Sequence, residues 1–439
     1  MKSNPEQIDR DRRDGCLRPH RAGVWHGALR VALIAGLMLG ATATWAAPAD
    51  LPDARSVLAA LDNHPQVRAA EARLRAAQAE HGRLRAGSHE FGLRLNVQRR
   101  AVNAGPDHHE WEAAIERGLR LPGKTRLDER IGALGVEEAE ARLGDARHET
   151  AKQLLTLWYA NLQAQTEVRL WREQLALLEA EGRIVQTRIK SGDAAPLQRL
   201  QIEAALAQAA SQLGQAEARA RTALAELSRN FPELPAPADQ AAEPVLPDGG
   251  EAEWLERALA HNHARLAAQL AAARAGLIAQ RAGADRQPDP VIGLRYAHEQ
   301  GGDERVLGVS LSIALPGEGR RAMASLLAAE AEQLVEAEAG VRRRLGAEAS
   351  ANWLRAAGAL ESYRRLTQAA EAAARHAELT RRAHALGELG LSEVLLTRRT
   401  ALETRIATEQ ARLAANEAIA RLLLDAHRLW PLTRDGGHP

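Results

Sequence analysis

The residue types that most often carry catalysis occur in this chain without catalytic spacing. There is no Gly-x-Ser-x-Gly elbow, no phosphate-cradling glycine loop and no His-Glu-x-x-His pair. The histidines raise the question of a metal, because His108 and His109 are adjacent and His261 and His263 stand two apart. A transition metal needs three or four converging ligands. Adjacent or i+2 histidines are more often solvated loop and cap residues than ligands, and these are read so. No catalytic residue, metal ligand or cofactor is expected. The other candidates are charges beside two glycine breaks: Asp193 next to Gly192, and Glu388 and Glu393 with Ser392 next to Gly387. Arg188, Arg382 and Arg398 flank the same breaks and would be able to clamp them by ion pairing. Carboxylates at helix ends are ordinarily just solvated. Repeated around a symmetry axis, they would instead form rings that favour cations at a narrow opening.

Those breaks interrupt a chain of helical composition. In 439 residues, Lys and Arg number 58 against 57 Asp and Glu, so nothing suggests a nucleic-acid footprint. Aromatic residues are only 3%, which fits long helices packed through narrow seams better than a globe with an aromatic core. Arg18, Arg21 and Arg30 precede an apolar run from Val31 to Gly40 and then small residues to Ala49. That order is a secretory signal, here taken as residues 1–46. The sole cysteine, Cys16, lies within it, leaving the mature chain without a disulfide, thiolate ligand or lipidation cysteine.

The order of elements is written twice. Leu61-Asp62-Asn63-His64-Pro65 and Leu259-Ala260-His261-Asn262-His263 each lead into an Ala/Leu/Arg helix. Alternating segments follow, at 91–102 and 110–121, and at 290–298 and 305–315. Leu121-Pro122-Gly123 and Leu315-Pro316-Gly317 then open long helical tracts. The first repeat is expected over 51–230 with a helical hairpin at 124–230. A Pro- and acid-rich linker follows at 231–250, then a second repeat over 251–430 with its hairpin at 318–428, and a tail at 431–439.

Leu93, Leu95 and Val97 alternate with Arg94, Asn96 and Gln98. Trp111, Ala113, Ile115, Leu119 and Leu121 oppose Glu112, Glu116 and Arg120, with Arg117 the exception. Ile292, Leu294, Tyr296, Leu307, Val309 and Leu311 repeat the pattern, opposite Arg295, Ser310 and Ser312. Period two with one apolar and one wet face fits a strand between lipid and a water-filled lumen, and equally a hairpin on a soluble core. Four strands cannot close a barrel, which takes at least about eight in a single chain. Leu175, Leu178, Gly182, Val185 and Ile189 form a coiled-coil seam, answered by Leu206, Leu213, Ala220 and Leu227.

Duplication, paired strands, Leu-Pro-Gly and glycine-broken helices together make the chain resemble the TolC family of outer-membrane efflux proteins over roughly 51–429. The Leu-Pro-Gly-x-x-Arg form is similar to its heavy-metal, CzcC-like branch. The resemblance implies a mostly α, mixed α/β membrane protein: long coiled-coil hairpins, with four strands per protomer completing a trimeric twelve-stranded barrel in outer-membrane lipid. It implies a homotrimer partnered by a periplasmic adaptor (membrane fusion) protein and an inner-membrane pump of the RND type. The residues at the two glycine breaks would then be the periplasmic tips. Two departures stand out: few strand aromatics beyond Trp111 and Tyr296, and Pro196 where the first tip normally has a small polar residue. The reading from another class is a soluble periplasmic coiled-coil adaptor or scaffold.

Overall fold

The computed structural model describes residues 50–101, 103–237 and 242–432. The signal segment lies outside them, as do 433–439 of the expected tail. Two short helices, α1 (Ala54–Asn63) and α2 (Pro65–Ala86), lead into strands β1 (Phe91–Arg100) and β2 (His108–Gly118). Helix α3 (Pro122–Lys190) and helix α4 (Pro196–Asn230) form the first hairpin. The second half repeats this as α5 (Glu251–Ala260), α6 (His263–Ala284), β3 (Val291–Glu299), β4 (Glu304–Ser312), α7 (Glu318–Ala385) and α8 (Leu391–Asp425).

Local chemistry sets the boundaries. Asp53 caps α1, accepting from the Ser56 backbone N–H at 3.0 Å, and Pro65 opens α2, where a missing N–H costs nothing. Where one helix was expected at the head of each repeat there are two, because His64 and, after His261 ends α5, Asn262 leave helical geometry and cap the next segment. The β2 strand stops at Gly118, short of the expected Leu121. Leu119 still donates to the Pro290 carbonyl at 2.7 Å, but Arg120 turns away toward the end of α2. The α3 helix has 69 residues, about 100 Å at 1.5 Å per residue.

The four strands form one antiparallel sheet in the order β1-β2-β3-β4, so β1 and β4 are open edges. The principal core gathers both repeats around Trp158, Tyr159, Trp254, Leu154 and Leu423. The connector joins it too, through fully buried Phe231, which stacks on His64. Asp50 is buried here, with its backbone carbonyl accepting from Trp158 Nε1 at 2.7 Å. Farther along the first hairpin the seam is thin. Ile202, Ala209 and Ala216 are buried at heptad spacing, and Leu178 and Val185 face them while Leu177 and Ile184 stay exposed. Among the described residues no helix is long and apolar enough to cross a membrane.

Candidate functional site

The sheet separates two chemistries. On one face the paired rows read Phe91–Arg117–Ile292–Leu311, Leu93–Ile115–Leu294–Val309, Leu95–Ala113–Tyr296–Leu307 and Val97–Trp111–His298–Arg305. Phe91 to Val97 covers about 20 Å along the strand at about 3.4 Å per residue. Among the described residues nothing covers these side chains: Leu95 is 70% exposed and Val309 79%. An aromatic group closes the band at its loop end, with Trp111 tilted against Tyr296 at 5.6 Å and stacked on His298 at 6.0 Å. At the other end the Arg117 guanidinium sits 4.6 Å from the Phe91 ring, so the exception in the alternation packs on an apolar neighbour. The opposite face is a ladder of ion pairs. Arg94 meets Glu116 at 2.8 Å, Arg295 meets Glu112 at 3.0 Å and Arg100 meets Glu110 at 2.8 Å.

Where strand becomes helix, the two Leu-Pro-Gly motifs differ. The first, Leu121, Pro122 and Gly123, places Lys124 in a nearly sealed position, 2% exposed, with Nζ 3.0 Å from both Asp285 and Asp289. Asp289 also accepts from the Leu121 backbone N–H at 3.1 Å and contacts His89 at 3.0 Å. Burial alone would raise this carboxyl, but the bonds from Lys124, His89 and Leu121 outweigh it and hold it below its ordinary value. Asp285 is likewise lowered, against burial, by Arg281 and Lys124. Beside them, Asp128 pairs with Arg120 at 2.9 Å and Arg281 at 2.7 Å, and Arg120 reaches the Leu84 and Arg85 carbonyls that end α2. The network fastens the first repeat to the second. The second motif, Leu315, Pro316 and Gly317, has no such cover, and Leu315 is 92% exposed.

The two tips close identically. Gly192 (φ 81°) and Gly387 (φ 83°) take the left-handed position after each long helix. The Asp193 N–H then donates to the Arg188 carbonyl at 2.8 Å, and the Glu388 N–H to that of Ala383 at 3.0 Å. Each is the Schellman closure that glycine permits. Pro196 occupies the first position of α4 as Leu391 does in α8, where proline fits without strain. Asp193, Glu388, Ser392 and Glu393 are exposed.

The hairpins touch near these tips. Gln201 donates to the Ser392 hydroxyl at 2.8 Å. Arg398 lies 3.2 Å from Glu181, both side chains mostly buried; the atoms are close but misaligned for a hydrogen bond, so the contact is chiefly one of charge. Arg188 meets His384 at 3.4 Å, whose other ring nitrogen bonds the Leu389 carbonyl at 2.7 Å. Arg382 pairs with Glu378 on its own helix at 2.9 Å. Reasoning from the sequence missed Glu181, Gln201 and His384, since nothing local marks a residue whose partner lies in the other repeat.

No protein-family model matches the sequence, and comparison with curated proteins finds no relative. Solved structures do match. The outer-membrane channel OprN superposes with a TM-score of 0.71 at 19% identity, covering 85% of this chain and 89% of that one. A membrane protein from Pseudomonas aeruginosa gives 0.72 at 18% identity over 87% and 91%. The outer-membrane protein VceC from Vibrio cholerae gives 0.69 at 16% identity over 85% and 95%. With four strands in one sheet and duplicated helical hairpins, the chain shares the fold of the outer-membrane channel OprN and of these other membrane proteins.

Proposed function

We propose that three copies of this chain form an outer-membrane channel, the passive exit duct of a tripartite efflux system. The observation that carries the reading is that sheet and helical wall are open at the same two edges. The α3 helix is flanked by α2 of its own repeat and α6 of the next, whereas α7 packs on α6, the counterpart of α2, and among the described residues has no helix on its far side in the place that α6 takes beside α3. Met323, Leu326 and Val335 are exposed along α7, while β1 and β4 lack outer partners. A second copy placed so that β1 follows β4, and α2 follows α7, satisfies both layers at once. Unpaired strand edges are not tolerated in lipid, and three copies of four strands give a closed barrel of twelve. The charges at this junction are inverted relative to the one inside the chain. Lys124 faces acids there, whereas its counterpart Glu318 would face the basic end of a neighbour's α2, Arg83 and Arg85.

The apolar face would then meet lipid, and the ion-pair ladder would line an aqueous lumen continuous with a tunnel of hairpins. The tips at Gly192–Asp193 and Gly387–Glu393 would meet a periplasmic adaptor, with an RND-type inner-membrane pump supplying energy. The Leu-Pro-Gly-x-x-Arg form supports heavy-metal cations as cargo. The carboxylates Asp193, Glu388 and Glu393 would form rings at the entrance, and the Arg398–Glu181 pair, with Arg188 and Arg382 nearby, would help hold it closed.

The test is fractionation, followed by unheated electrophoresis of the outer-membrane fraction in mild detergent and conductance in planar bilayers. A detergent-requiring trimer that conducts supports the duct. A soluble periplasmic monomer or dimer would replace it with the coiled-coil scaffold.

A further inference from the structure

Four histidines from three separate stretches of the sequence meet where the two repeats join. His148 comes from the middle of α3, His261 from the junction of α5 and α6, His263 from the first turn of α6, and His427 from just beyond α8. The His427 ring stands at the centre, with centroids 5.2 Å from His263, 5.7 Å from His148 and 6.4 Å from His261. Two imidazoles on one ion place their ring centres about 5–6 Å apart, given metal–nitrogen bonds of about 2.0–2.1 Å.

We propose that His148, His261, His263 and His427 bind one divalent transition-metal ion of imidazole preference, such as Zn2+, Cu2+ or Ni2+. Several features of the site support this beyond proximity. The Nε2 atoms of both His148 and His263 are buried without a hydrogen-bond partner, which leaves lone pairs or protons uncompensated. His427 sits at a left-handed φ of 54°, a position that glycine or asparagine normally takes after a helix. Gly144 on α3 makes room for the His263 ring, since a Cβ there would come within 2.6 Å of it.

Acidic and basic side chains both border the rings. Asp425 Oδ1 lies 3.3 Å from His148 Nε2, misaligned for a hydrogen bond, and 3.4 Å from Lys152. Glu149 pairs with Lys152 at 2.9 Å, and Arg147 is engaged by Asp62 at 2.9 Å. Among the described residues no three His, Cys, Asp or Glu side chains stand ready to hold a metal ion, and the four rings would reach one ion only by rotating inward. His261 is exposed and opens the cluster to solvent. A bound ion would staple α3, the α5–α6 junction and the segment after α8 across both repeats. Imidazole ligands select borderline ions over Ca2+ or Mg2+.

The test uses the full chain in mild detergent, purified without a polyhistidine tag and stripped with EDTA. Zn2+ is titrated by calorimetry and Cu2+ is read by electron paramagnetic resonance. One ion per protomer with imidazole-nitrogen splitting is expected. His263→Gln and His427→Asn should each weaken binding by at least about tenfold. Asparagine tolerates the left-handed backbone at 427. Gly144→Ala should weaken binding similarly by displacing the His263 ring, in a substitution that favours helix formation. His109→Gln, in the strand region, should bind as the parent does. No saturable binding by the parent, or parent affinity in His263→Gln, His427→Asn and Gly144→Ala, would overturn the proposal. None of these readouts involves conductance, so the outcome is independent of the channel reading.

Discussion

Replacing Leu95 by arginine, and separately its neighbour Asn96, asks which face of the sheet meets lipid. Leu95 stands in the middle of the apolar band, in register with Ala113, Tyr296 and Leu307. Asn96 points to the other face, paired with Glu112. Both are exposed within one chain, so lost intrachain packing adds little to the comparison. An arginine on the lipid face near the bilayer midplane costs about 2–4 kcal/mol, hence about 6–12 kcal/mol for the three copies of one barrel. Asn96→Arg puts a cation among Glu112 and Glu116 in water and should change stability by no more than about 1 kcal/mol. The assay is the guanidinium midpoint for dissociation of the trimer refolded into lipid vesicles, with unheated gel mobility as a second readout. Leu95→Arg should fail to trimerise or dissociate at much lower denaturant, while Asn96→Arg behaves as the parent. Equal effects, or a larger one at Asn96, would refute the lipid assignment and favour a sheet lying on a soluble core.

Lys124→Met should cost about 3–5 kcal/mol in thermal or denaturant unfolding, because it strands the Asp289 carboxylate against Asp285 in a mostly buried site. Both carboxyls are depressed when folded, so their stabilisation is present above the unfolded carboxylate range near pH 4 and is lost as pH falls through the lower folded values. The parent should therefore lose stability in strong acid more steeply than Lys124→Met; parallel acid curves would count against the pair. At the tips, Glu181→Gln or Arg398→Ala should raise single-channel conductance, and Glu388→Ala with Glu393→Ala should lower the cation-to-anion permeability ratio; unchanged recordings would remove these residues from the entrance. Gly387→Ala should lower stability by about 1 kcal/mol at its φ of 83°, whereas Gly214→Ala, inside α4 with open space beside it, should gain about as much. Glu318→Lys should weaken the trimer on unheated gels and Arg85→Glu in the same chain should restore part of it; no rescue would argue against the inverted charges facing each other between copies.

What could be read in advance was whatever the chain encodes locally. Leu93, Leu95 and Val97 announce a strand because alternation is a property of consecutive residues, and that strand forms at 91–100. Leu-Pro-Gly and the paired glycines announce helix starts and stops because φ is a property of one residue. The misses share a different cause. Asp289 serves Lys124 from the other repeat, and Glu181 serves Arg398 from the other hairpin, so no window of sequence contains both partners. The histidines show the same limit. His261 and His263 alone look like cap residues, and only the fold brings His148 and His427 against them. The division is physical: backbone geometry is set within a few residues, whereas the desolvated charges that lock one repeat to the next find their partners only through packing. The second junction carries this one step further. Leu315 stands uncovered and Glu318 has no acid-for-base partner of the kind that Lys124 has, because the surface that would complete them belongs to no part of the described chain. In the proposed trimer the first joint is satisfied within one copy and the second would be completed by a neighbour. The open edges of a single protomer, rather than its core, therefore carry the trimer reading.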